Sequence, residues 1–236
     1  METQPAHGRP LLKAERLAAG YGKVSIVRDV NLEVFAGEVV ALLGPNGAGK
    51  TTTLLAMAGE LPALEGSVSC LDLDGTAALH ERSRAGLALV TDARAVFMRM
   101  TLAENLRVFQ VGTETIFEFF PELAPHRDRR VGLLSGGQQQ MLALGLALSR
   151  RPGVILADEL SLGLAPIIVS RLFSVLRAAA DAGVGVVLVE QHVHKALTIA
   201  DRVYVMDRGH IALSGTAMDL RERVDEIQAS YLAGAT

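Results

Sequence analysis

The hydrophobic pattern changes rhythm within the first fifth of the chain. In "VNLEVFAGEVVALLG" (30–44), apolar and polar positions alternate and then become continuously apolar. The continuously apolar part reads as a buried strand. Residues 11–43 read as short β-rich runs, followed by a helical pattern from Lys50 to about Met57. "GSVSCLDLDG" (66–75) predicts a strand with a turn at each end, and "GLALV" (86–90) predicts another. Further on come a helix from Gln138 to Ser149, the strand "GVILA" (153–157), a helix at 167–180 and the strand "GVGVVLVE" (183–190). "RVYVMDRGHIALSG" (202–215) reads as two strands around an Asp-Arg-Gly turn, and the stretch from Met218 reads as helical. Alternating strands and helices predict an α/β fold, with helices on the faces of a parallel sheet.

Residues 93–133 break this pattern. They hold most of the phenylalanines and the "HRDRR" cluster (126–130), and they predict an inserted, mostly helical subdomain. The first ten residues form a polar tail without the apolar stretch of a signal peptide. The longest uncharged window, Val131 to Ser149, is continuously apolar only from Met141 to Leu148, glycine included. That is too short to span a bilayer, which takes about 20 such residues. The chain is therefore not expected to cross a membrane by itself.

Composition narrows the class. Of 236 residues, 50% are hydrophobic and 21% charged, which fits a globular core and excludes global disorder. A net charge of -3 gives no reason to expect nucleic acid as a partner, which usually needs a basic excess on one face. Cys70 is the only cysteine, so no internal disulfide forms, which suits a reducing cytosol.

Candidate chemistry begins at "GPNGAGKT" (44–51), which fits G-x-x-x-x-G-K-[ST] between a strand and a helix. This is the phosphate-binding P-loop: Gly44, Pro45, Asn46, Gly47, Ala48 and Gly49 form a loop whose backbone N–H groups, all but that of Pro45, which has none, converge on phosphates, and Lys50 reaches their outer oxygens. The Thr51 hydroxyl ligates magnesium, and Thr52 continues the nucleotide-binding segment. The motif makes sense of a second oddity. The apolar strand before Asp158 and Glu159 ends in two adjacent carboxylates, an expensive arrangement without a cation. Magnesium held by Asp158 supplies that cation, and Glu159 is then placed to orient and deprotonate an attacking water. In "LLSGGQQQ" (133–140), Ser135 and Gln138 form a capping box at a helix start. Gly136 and Gly137 leave amides open beside that helix N-terminus, a second anion site suited to another subunit's nucleotide.

With these residues, the chain resembles the ATP-binding cassette (ABC) ATPases along essentially its whole length. The P-loop, LSGGQ at 134–138 and the strand ending at Asp158-Glu159 occur in that family's order. The resemblance implies a P-loop NTPase (RecA-like) core with an N-terminal antiparallel β subdomain and the helical subdomain at about 93–133. All of 11–236 would form one ATPase domain. It also implies a head-to-tail dimer with two ATP molecules, each held between one subunit's P-loop and the other's LSGGQ. Tyr21 matches the aromatic residue that stacks on adenine. "SLGLAP" (161–166) and the C-terminal stretch are similar to the shorter ATPase subunit of branched-chain amino-acid importers. Gln191 stands where most of the family carries a histidine that senses the γ-phosphate, and His192 beside it invites misassignment. Asp92 stands at the family's Q-loop position and is a second candidate for holding magnesium through water.

Three departures fall at Leu160, Ala157 and Leu146, where the family carries a proline, a bulkier apolar residue and often an arginine. None of them removes Lys50, Asp158 or Glu159, so they bear on docking to the membrane partner and leave hydrolysis expected. The implied partners are integral-membrane permease subunits, a second ATPase subunit or another copy of the chain, and indirectly a solute-binding protein. The implied location is the cytoplasmic face of the inner membrane. Importers of urea, amides or another small solute stay open, as do a soluble DNA-repair or translation ATPase and a purely regulatory subunit.

Overall fold

The structure, a computed structural model, describes residues 8–91 and 95–224. Two sheets organise it. The first is antiparallel, in the order β2-β1-β4, built from β1 (Leu12–Tyr21), β2 (Val24–Val34) and β4 (Ala63–Cys70). The second has six strands in the order β5-β6-β7-β3-β8-β9. Its members are β3 (Val39–Leu43), β5 (Leu87–Val90), β6 (Val154–Asp158), β7 (Gly185–Glu190), β8 (Arg202–Asp207) and β9 (His210–Thr216). All neighbours in it run parallel except β8 and β9, the hairpin anticipated around Asp207-Arg208-Gly209.

The continuous apolar runs now have their cause: β3, β6 and β7 are buried at every position. Alternate residues serve two different cores. Val39, Ala41, Leu43, Ile155 and Leu188 pack with helices α5 (Gly136–Ser149), α6 (Pro166–Asp181) and α7 (Val193–Leu197). Val40, Leu42, Leu156, Val187 and Val189 face the antiparallel sheet and α1 (Lys50–Ala58). The registers Leu43↔Glu190 and Asp158↔Val189 bring the C-terminal ends of three adjacent strands to one edge. Ligands of open α/β sheets bind beyond such an edge.

The pattern misplaced some elements. β4 ends at Cys70, so "LDLDG" is turn rather than strand, with the Cys70 amide donating to the Leu73 carbonyl. Gly66 is not a turn but a kink inside the strand. Its φ is 74°, and a Cβ there would lie 2.3 Å from the carbonyls of Glu15 and Arg16. Helix α2 (Leu79–Ala85) was not anticipated, because "LHERSRA" has no apolar period. It is pinned by the buried Arg82 guanidinium, which donates to the Met57, Ala77 and Gly75 carbonyls at 2.6, 2.8 and 3.2 Å. Between 95 and 135 lie two seven-residue helices, α3 (Leu102–Val108) and α4 (Thr113–Phe119), and two 3₁₀ turns, Pro121–His126 and Val131–Leu133. Helix α8 (Ala217–Arg221) follows β9 directly, and the anticipated helix beyond 224 lies outside the described residues. No helix among the described residues is long and apolar enough to cross a membrane.

Candidate active site

The loop between β3 and α1 is braced from several sides. The Ala48 carbonyl accepts from the Gly209 amide at 2.9 Å, the Ala48 amide donates to Pro45, and Thr53 Oγ1 donates to the Gly49 carbonyl at 3.0 Å. Gly49, at the N-cap of α1, has φ 103°, and a Cβ there would sit 2.4 Å from Val27 Cγ1. Strand β2 therefore presses on the loop where only glycine fits. Gly47 also has positive φ but faces open space. Gly44, Ala48 and Thr52 are buried, whereas Asn46 and Thr51 are exposed. The first-turn amides of α1 have no side-chain cap, so the helix start presents donors and a positive dipole end.

Around this loop the sheet edge gathers the charged residues. Lys50 Nζ donates to the Gly44 and Pro45 carbonyls at 2.9 and 3.1 Å, and it lies 3.7 Å from Glu159 Oε1. Burial holds the Lys50 ammonium below the ordinary lysine range, opposed by the charges of Glu159, Asp158 and Glu190. Thr51 Oγ1 donates to Asp158 Oδ2 at 3.0 Å, joining the two anticipated metal ligands. Glu159 turns out of β6 with φ 47°, a left-handed conformation costing about 1–3 kcal/mol in a non-glycine residue. Its amide donates to the Val189 carbonyl, and its Oε1 accepts from Gln191 Nε2 at 2.8 Å. Four anticipated residues from three segments thus meet: Lys50, Asp158, Glu159 and Gln191. The cation standing beside the paired carboxylates is Lys50.

The LSGGQ segment is organised locally. Ser135 caps α5: its Oγ accepts from the Gln138 amide at 3.2 Å, and its own amide donates to Gln138 Oε1 at 3.0 Å. The helix therefore starts at Gly136, two residues ahead of the pattern-based boundary. A Cβ on Gly137 would lie 2.8 Å from Ile168 Cγ2, so a glycine lets α5 approach α6. Tyr21 ends β1 opposite Val24, with 55% of its surface exposed next to the exposed Val24 and Ile26. His192 is exposed at the start of α7, while its neighbour Gln191 carries the bond to Glu159. Asp92 lies outside the described residues.

Residues 27–161 match the family model described as ABC transporter. The chain belongs to the ABC transporter family. It is 37% identical to the high-affinity branched-chain amino acid transport ATP-binding protein BraG of Pseudomonas aeruginosa, over 95% of this chain and all of that one. It is 34% identical to the probable branched-chain amino acid transport ATP-binding protein LivF of Archaeoglobus fulgidus, over 90% and 94% of the two chains. The lipopolysaccharide export system ATP-binding protein LptB of Escherichia coli is 33% identical, over 94% and 96%. Among solved structures, an ATP-binding cassette of an ABC transporter in its ADP conformation superposes with a TM-score of 0.82. It shares 25% identity and covers 94% of this chain and 99% of that one. The fold is that of the ABC ATPase cassettes, and the chain is an ATP-binding, ATP-hydrolysing member of the family.

Two residues of this ABC site escaped the sequence reading. Glu190, 1% exposed at the end of β7, accepts from the Ser161 hydroxyl at 2.7 Å and from the Ser161 amide at 3.1 Å. Burial pushes its carboxyl above the ordinary glutamate range, opposed by the two bonds from Ser161. The bonds tie the segment after Glu159 to the strand before Gln191. A glutamate closing an apolar strand reads in sequence only as a strand end. Its partner was the available signal, since Ser161 opens the quoted "SLGLAP". Met206 is the other: a Cβ on Gly44 would meet its carbonyl at 2.6 Å, so β8 underlies the P-loop.

Proposed function

We propose that this chain is the ATP-hydrolysing subunit of an ABC importer for branched-chain amino acids, working from the cytoplasmic face of the membrane. One observation carries the catalytic part: Lys50, Asp158, Glu159 and Gln191 meet at one sheet edge beside the start of α1. In this reading, the N–H groups of Gly44 and 46–49 together with Lys50 hold the phosphates, Pro45 shapes the loop, Tyr21 stacks on adenine, and Thr51 with Thr52 continues the cradle. Glu159 takes the proton from the attacking water, and Gln191 fixes the carboxylate that does so.

Magnesium fits the donor set. Thr51 Oγ1 and Asp158 Oδ2 are hard oxygens 3.0 Å apart, and this ion typically takes one or two carboxylates together with phosphates and water. Among the described residues no group of three or more His, Cys, Asp or Glu could hold a metal, so the ion would arrive with the nucleotide. When bound it neutralises charge on the phosphates. Asp92 is the further candidate for reaching it through water.

Ser135, Gly136, Gly137 and Gln138 close over the nucleotide of a second cassette, either another copy or a sister ATPase. ATP then favours the closed pair and hydrolysis releases it. Residues 11–236 act as one cassette, and the helical segment at about 93–133 passes closure to the permease subunits. A cavity of about 330 Å³, lined by Arg84, Leu87–Val90, Phe109, Leu146 and Arg150, opens beside that segment and supports this reading as a surface a permease could enter. Leu146 and Leu160 are both buried in the core, so these departures keep the fold intact. The choice of solute rests on the names of the two branched-chain relatives. The export-system relative supports a second reading, an ATPase serving a different transported molecule.

The test is a pull-down from detergent-solubilised membranes of the source organism. Recovery of two multispanning proteins and a second ATPase is expected, with a solute-binding protein then screened for branched-chain amino acids. Recovery of soluble partners alone would overturn the reading.

A further inference from the structure

The glutamine run after the signature glycines is bonded outward as well as along its helix. Gln138 Nε2 donates to Nε2 of His126, 2.8 Å away at the end of the 3₁₀ turn Pro121–His126. The geometry assigns the direction. Gln138 Oε1 must accept, because its partner is the Ser135 amide. The other end of the amide is therefore the NH₂ donor, and His126 Nε2 must be an unprotonated acceptor, with the ring proton on Nδ1. Next to it, Gln139 Nε2 donates to the Val131 and Leu134 carbonyls at 3.0 and 3.2 Å, holding the approach to the same cap.

We propose that His126 is a positioning residue for the signature segment: by accepting from Gln138, it fixes the amide that caps Ser135 and so holds the helix start toward the partner's nucleotide. The inference rests on the reading that Ser135–Gln138 closes over that nucleotide. It gives the "HRDRR" cluster a specific task, since its first member reaches the signature while the chain turns back toward α5. A donor in place of His126 would face the Gln138 NH₂ and drive the amide to flip. The flip would put NH₂ against the Ser135 amide and open the capping box.

The test compares ATP turnover, ATP affinity and thermal midpoint in full-length chains assembled with their partners. His126→Arg supplies only donors, and turnover should fall about tenfold, the size expected when a partly buried polar group loses its partner. ATP affinity, set at the P-loop, should be unchanged. His126→Gln restores an acceptor and should turn over near normally. Normal turnover in His126→Arg, or a His126→Gln variant no better than His126→Arg, would overturn the inference. Ser135→Asp separates this from failure of the underlying reading. It keeps a good N-cap and adds a negative charge where a phosphate should dock. If Ser135→Asp is inactive while His126→Arg is normal, only the inference falls. If both are normal, the signature reading falls with it.

Discussion

The P-loop region and the LSGGQ segment are both helix N-termini, yet they are built in opposite ways. The first is charged and assembled from distant chain segments. Thr51 and Asp158 are 107 positions apart, and Glu159 and Gln191 are 32 apart. The second is uncharged, and Ser135, Gln138 and His126 all lie within 12 positions. One is therefore held by the whole sheet and the other by a short local network. The difference teaches which functions can be separated. A change at the sheet edge should strike binding or chemistry directly, whereas a change in the signature should leave nucleotide binding intact and strike only what requires a second cassette.

The sharpest way to break this comparison is Glu159→Gln. A glutamine there can still accept from Gln191, so the local geometry should persist. Loss of a general base should lower turnover about 10²–10⁴-fold while ATP still binds, which phosphate release and nucleotide binding on the same preparation would measure. Near-normal turnover would remove Glu159 from the mechanism. Lys50→Ala should come next, raising the Kd for ATP about 10–100-fold through loss of a charged hydrogen bond to phosphate. Calorimetric titration would read this, and unchanged affinity would count against the P-loop role.

Smaller effects test the scaffolds. At Gly49, positive φ and the 2.4 Å approach of Val27 combine, so Gly49→Ala should cost about 1–3 kcal/mol in urea unfolding. Gly47→Ala, with open space around it, should cost only about 1–2 kcal/mol, from backbone conformation alone. Equal costs at the two positions would show that packing by β2 is not what confines the loop. Smallest of all, Ser135→Ala should cost about 1 kcal/mol through loss of the cap. That loss would appear as a lower thermal midpoint with unchanged ATP affinity.

Much of this was legible in sequence for physical reasons. β3, β6 and β7 read as strands because burial on both faces demands continuous apolar residues. Lys50 and Thr51 stood out through the spacing of the P-loop glycines, and Asp158 and Glu159 because carboxylates at the end of a buried strand require a cation. What stayed hidden depends on contacts that have no periodic trace. Helix α2 is held by the Arg82 guanidinium on backbone carbonyls rather than by an apolar stripe. β4 passes through a kink at Gly66 that looks like a turn when only residue types are read. Glu190 acts through two hydrogen bonds from Ser161 and His126 through one from Gln138, and such pairings appear only once the chain is folded.

Ser135→Asp in the full chain, assembled with its membrane partners, tests most directly whether the two regions complete one another across subunits. Thermal midpoint, ATP affinity and turnover are measured together. The account predicts an intact midpoint, because aspartate caps a helix about as well as serine, and intact affinity, because the P-loop is untouched. It predicts turnover reduced at least about tenfold, because a carboxylate would face the partner's phosphates. Turnover equal to that of the unmodified chain would contradict it.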